Sequence, residues 1–146
     1  MKITVIIASQ RVSGKNKEII DCLTRLNLSH ELEFIRMAQM NINGCTSCYK
    51  CAETNSCVIN DDFEYVFKRL KESDAIFIIS PVYTVISSKL TALFERLTSL
   101  LFATKMMNTD ANPFLNKPTA IFSYCSNGIC DETQMKVIPK ICYERL

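Results

Sequence analysis

The hydrophobic pattern divides the chain into segments of two periods. Residues 2–8 form a continuous, largely β-branched apolar run. That pattern predicts a central parallel strand covered on both faces. A polar stretch follows at residues 9–16, with one glycine, Gly14. Residues 17–26 then place Ile19, Ile20, Leu23 and Leu26 at helical spacing. Residues 31–35 predict a second, edge strand. Asn60, Asp61 and Asp62 open a helix reaching about Glu72, with Phe63, Val66, Phe67 and Leu70 on one face. Both aspartates are explained there as charges at a helix start. Residues 75–79 read as the third strand, ending at Ser80 and Pro81. Ser87 or Ser88 starts a helix through Leu90, Leu93, Phe94, Leu97 and Leu101. Residues 104–117 are polar and irregular and predict a surface excursion. Residues 119–124 are the fourth strand. Asp131 and Glu132 begin a last helix with Val137, Ile138, Ile141 and Cys142, and Pro139 inside it kinks or ends it.

Strands alternate with helices, so the architecture is α/β around a parallel sheet. The 146 residues suit one domain, 1–146, without repeats or an internal boundary. An apolar share of 48% and a charged share of 22% describe a soluble globular chain. The net charge of +2 is too small to argue for nucleic acid or an anionic membrane. The first apolar run is shorter than a secretory core, and no segment reaches membrane-spanning length. The expected location is the cytoplasm. There, eight cysteines are not a disulfide framework.

Half of those cysteines carry the most specific pattern in the chain. Cys45, Cys48, Cys51 and Cys57 follow C-x2-C-x2-C-x5-C within thirteen residues. Thiolates at three-residue steps converge when the backbone curls around a central object, and short bacterial-type runs supply a 4Fe-4S cubane in this way. Zinc sites usually pair two C-x2-C units across a longer spacer. The pattern favours a cubane over free thiols or a redox disulfide, and those over zinc.

In open parallel sheets, ligands sit beyond the carboxyl ends of the strands, where strand order reverses. Three loops meet that description. The first contains Ser9, Arg11, Ser13, Gly14 and Asn16 and offers hydroxyls, basic side chains and helix-opening amides to a phosphate. The absence of G-x-G-x-x-G excludes a nicotinamide fingerprint at this strand. The second, with Pro81, Val82, Tyr83 and Thr84, pairs apolar and aromatic groups with backbone amides, which suits a flat ring with polar edges. The third contains Tyr124, Cys125, Asn127 and Gly128. Cys22 reads as a small core residue of the first helix. His30, the lone histidine, reads as a surface residue, and no acid–base or nucleophile pair can be built around it.

Together these segments resemble the iron–sulfur flavoprotein branch of the NADPH-dependent FMN reductase, flavodoxin-like family. Ser9, Arg11 and Gly14 match its phosphate-loop pattern. Ser80-Pro81-Val82-Tyr83 with Leu90, Phe94 and Arg96 is similar to its S-P-V-Y … L-x-x-x-F-x-x-R signature. The four cysteines, with Val58-Ile59-Asn60-Asp61-Asp62 behind them, look like its cluster motif. Ala8, Gln10 and Lys15-Asn16 depart from the usual residues of the first loop. The resemblance implies a doubly wound, three-layer αβα sheet from which the fifth strand and helix are missing, leaving the fourth strand as an exposed edge. It implies FMN, with its phosphate on the first loop and its ring between the second and third. It also implies a 4Fe-4S cluster, NAD(P)H or a ferredoxin-like carrier as redox partner, and a homodimer or homotetramer. The expected function is oxidoreduction, with electrons passing between flavin and cluster and no protein nucleophile. The alternatives are a cluster-free NAD(P)H-dependent FMN or quinone reductase, and a non-enzymatic, flavin-free remnant of the fold.

Overall fold

The computed structural model describes residues 1–11, 13–26, 29–82, 86–106 and 112–125. Four parallel strands, β1 (Lys2–Ile7), β2 (Glu31–Arg36), β3 (Ala75–Pro81) and β4 (Thr119–Tyr124), pair in the order β2-β1-β3-β4. Ile3 of β1 lies opposite Leu32 of β2 and Ala75 of β3, and Ile78 of β3 lies opposite Ile121 of β4. The helices are α1 (Lys15–Arg25), the single turn α2 (Cys51–Thr54), α3 (Phe63–Glu72) and α4 (Ser88–Met106).

Strand periodicity sends alternate side chains of β1 to opposite faces of the sheet. Val5 and Ile7 pack with Ile20 of α1 on one face. Ile6 and Ala8 pack on the other with Phe63, Val66 and Leu70 of α3 and Leu90, Leu93 and Leu97 of α4. The chain leaves β1 outward to β2, then recrosses to β3. With right-handed crossovers, these two connections fall on opposite faces. The sheet is therefore covered on both sides, and strand order reverses between β1 and β3. The expected last helix lies outside the described residues.

Two expectations need correction. Cys22 is exposed rather than a core residue. Ile20 fixes the buried line of α1, and a residue two positions on points away from it. The 104–117 stretch is not wholly a surface excursion. α4 continues to Met106, and Phe114 returns to the core at 2% exposure, edge-on to Phe67 with ring centroids 5.9 Å apart. His30 is exposed, as expected. Among the described residues, no helix is long and apolar enough to cross a membrane.

Candidate functional site

The first loop meets the end of β4 at Tyr124. Ser9 is 3% exposed, and its Oγ accepts a hydrogen bond from the Arg11 amide at 3.1 Å. Gly14 stands at the start of α1 with φ 95° and ψ −149°, a conformation that side-chain-bearing residues avoid. Asn16, 2% exposed, donates through Nδ2 to the Arg11 carbonyl at 3.5 Å. Its Oδ1 accepts from the Tyr124 hydroxyl at 2.5 Å. Asn16 thus braces the first loop against the end of β4. Arg11, Ser13 and Gly14 remain exposed. From the second loop, the amide of buried Val82 donates to the Tyr124 carbonyl at 2.8 Å, directly after Pro81 ends β3. Tyr83, Thr84, Asn127 and Gly128 lie outside the described residues.

The four motif cysteines line a single cavity of about 390 Å³. Thr46, Ser47, Tyr49, Val58 and Ile59 contribute from the same loop. Arg96, Ser99, Leu100 and Ala103 contribute from α4 at helical spacing. α2 carries Cys51 and packs against α4. The rest of the loop lacks regular structure, and Ser47, Tyr49 and Asn55 hold positive φ angles of 52°, 59° and 54°. Such angles turn the chain sharply, and the loop curls around the cavity. The Cys45 Sγ lies 3.3 Å from the Ser99 Oγ, and the Cys51 Sγ lies 3.9 Å from the Ser99 carbonyl. Burial raises the Cys51 thiol above its ordinary value, and the nearby sulfurs of Cys57, Cys45 and Cys48 push the same way. Cys48 is held below its ordinary value by the Lys50 amide and the Thr46 side chain. Among the described residues, no group of three or more His, Cys, Asp or Glu side chains is closed tightly enough for a single metal ion.

A buried ion pair lies at the base of this loop. Arg96 Nη1 stands 2.6 Å from both carboxylate oxygens of Asp61, with the two side chains 1% and 0% exposed. The same guanidinium donates to the Asn43 carbonyl at 3.5 Å and the Ile59 carbonyl at 3.3 Å. It lies 4.1 Å over the Phe63 ring, and its buried Nε has no partner among the described residues. Asp61 also accepts from the amides of Asn43 and Phe63 at 2.9 and 3.1 Å. Burial works to raise its carboxyl, but the Arg96 hydrogen bonds and these amides outweigh that, leaving it below the ordinary aspartate value. Asp61 is thus more than the expected helix-start charge, while Asp62 exchanges hydrogen bonds with Asn41. Periodicity assigned Arg96 no role beyond its place in a motif. Ser99 carried no signal except as a polar residue on an otherwise apolar helix.

A doubly wound parallel sheet, with loops gathered at its strand ends and a thiol-lined cavity beside it, defines an α/β protein of the doubly wound class. The chain belongs to the NADPH-dependent FMN reductase family, which it matches over residues 1–141. It is 32% identical over 113 residues to an iron–sulfur flavoprotein of Methanocaldococcus jannaschii, covering 74% of this chain and 58% of that protein. It is 33% identical over 85 residues to an iron–sulfur flavoprotein of Archaeoglobus fulgidus, covering 57% and 39% respectively. These similarities place it with the iron–sulfur flavoprotein branch of the family. The chain spans about half the length of the curated relatives it matches. Among solved structures, it superposes on RosB with a TM-score of 0.73 at 14% identity, covering 99% of this chain and 60% of that one. It also superposes on the NAD(P)H:acceptor oxidoreductase FerB of Paracoccus denitrificans, with a TM-score of 0.65 at 16% identity and coverage of 97% and 71%. At such identities the structures establish the flavodoxin-like fold alone.

Proposed function

We propose that this chain is a flavin-dependent oxidoreductase whose FMN sits at the strand ends and whose four motif cysteines hold a 4Fe-4S cluster. The observation that carries the reading is the gathering of Cys45, Cys48, Cys51 and Cys57 around one cavity. Four thiols, with no carboxylate or imidazole among the described residues lining the cavity, suit iron–sulfur chemistry. The cavity of about 390 Å³ leaves room for a cluster between the cysteines. Bound FMN would supply two-electron chemistry and the cluster one-electron steps.

The protein's own contribution is binding and orientation. Arg11, Ser9, Ser13 and the amides opening α1 at Gly14 and Asn16 hold the phosphate. Pro81, Val82, Tyr83 and Thr84, together with Tyr124, Asn127 and Gly128, would hold the flavin ring. Tyr49, Val58 and Phe102 line the cysteine cavity yet are 77%, 46% and 61% exposed. That apolar rim supports burial against another copy in a homodimer or homotetramer. NAD(P)H or a ferredoxin-like carrier exchanges electrons with the assembly.

Anaerobic purification tests the reading directly. The expected product is brown, with iron, sulfide and FMN bound together. A yellow, iron-free protein would instead mark a cluster-free NAD(P)H-dependent FMN or quinone reductase. A protein colourless even after reconstitution would mark a flavin-free remnant of the fold.

A further inference from the structure

We propose that Arg96 and Asp61 form a clasp that closes the cysteine loop before any metal arrives. This rests on the reading that the four thiols hold a cluster, and it adds the residues that position them. The loop enters the cavity just after Asn43 and leaves it at Ile59. One guanidinium reaches both ends, donating to the carbonyls of Asn43 and Ile59. One carboxylate completes the closure, accepting from the Asn43 amide and from its Nδ2 at 3.1 Å. The planar fork of arginine can serve two carbonyls and a carboxylate at once, which a lysine ammonium at the same position cannot match geometrically.

The loop also crosses α4 closely. A Cβ at Gly44 would stand 3.3 Å from the Glu95 Oε2, which accepts from the Cys45 amide at 3.4 Å. Ser99, one turn further along α4, meets the Cys45 sulfur. Cys45 is thus aimed by side chains of a helix anchored in the core. Arg96 and Asp61 act as positioning residues, since neither is itself a sulfur ligand.

A buried ion pair with only a structural role behaves differently from a clasp. Such a pair can be replaced by apolar side chains of similar size without loss of the fold. A clasp replaced in this way releases the loop while the fold persists, because apolar side chains leave the carbonyls of Asn43 and Ile59 unheld. The test therefore uses the full-length double variant Arg96→Met/Asp61→Leu beside the wild type. Apoprotein thiols are alkylated and followed residue by residue, with exposed Cys22 as the internal reference. Iron per chain is measured after anaerobic reconstitution, with FMN content and circular dichroism as checks on the fold.

The expected result is an unchanged spectrum and FMN content, with Cys45 and Cys51 alkylated about tenfold faster as local opening rises, and reduced iron retention. Wild-type thiol protection and iron retention in the double variant would overturn the proposal. Should that variant fail to fold, Arg96→Lys decides. It keeps the charge beside Asp61 and loses the fork, so loop thiols should again react faster, and wild-type rates would refute the clasp. A wild type that takes up no iron yet protects its loop thiols would remove the cluster reading and leave the clasp standing.

Discussion

At the strand ends, the groups that converge do so because the sheet carries them there. Val82 and Tyr124 meet through backbone hydrogen bonding, and one buried asparagine ties the first loop to β4. The cysteine loop has no such scaffold. Apart from the single turn of α2 it lacks regular structure, and side chains of α4 and Asp61 hold it at its base. Ordering a backbone without a ladder costs about 1–2 kcal/mol per residue. That cost must be met by specific contacts or by a bound metal centre. The strand-end rim is thus built from the fold outward, whereas the thiol cavity depends on a few buried polar groups.

The sharpest way to separate the two regions is to delete one proposed ligand. Cys48→Ala should abolish iron retention and leave FMN content near the wild-type level, read by iron and flavin analysis of the same sample. Joint loss of both would show the regions to be one unit. Next in size is Asp61→Asn, which leaves the Arg96 charge buried without its partner. Removing one member of such a pair costs about 3–5 kcal/mol, measurable as a fall in the urea midpoint.

The same residue fixes a pH dependence. The folded-state value of Asp61 is depressed, so its contribution is fully present above the ordinary aspartate value of about 3.9. That contribution is lost as pH falls through the folded value. Wild-type stability should therefore decline in acid more steeply than that of Asp61→Asn, in urea titrations repeated across pH. Parallel acid profiles would contradict the assignment.

On the strand-end side, Gly14→Ala should cost about 1–3 kcal/mol from backbone strain alone. Among the described residues beyond its chain neighbours, no atom lies within 4 Å of the added Cβ, so a steric clash with them is not involved. Smallest is Tyr124→Phe, which removes the hydroxyl bound to Asn16. A loss of about 1 kcal/mol is expected, together with weaker FMN retention if this brace sets the first loop. Unchanged flavin affinity would show that the loop holds its shape unaided.

Much of the fold was legible in the order of residues. The β-branched runs of β1 and β3 and the spaced apolar residues of α1, α3 and α4 fixed the elements, because burial on a sheet or helix face demands those periods. The cysteine spacing marked a candidate ligand set without any knowledge of what surrounds it. Cys22 was misread because one helical turn offers two nearly adjacent lines, and only packing shows which meets the sheet. Phe114 was missed because a lone aromatic in a polar stretch has no period.

What the chain alone determined was the succession of strands and helices and the chemical types available at their ends, since periodicity and local spacing are properties of neighbours in sequence. The pairing of Arg96 with Asp61, the gathering of four sulfurs against α4, and the brace from Asn16 to Tyr124 were decided only by tertiary structure. Each joins residues on different elements, and whether a polar side chain becomes a partner or a surface group depends on which faces the packed sheet brings together.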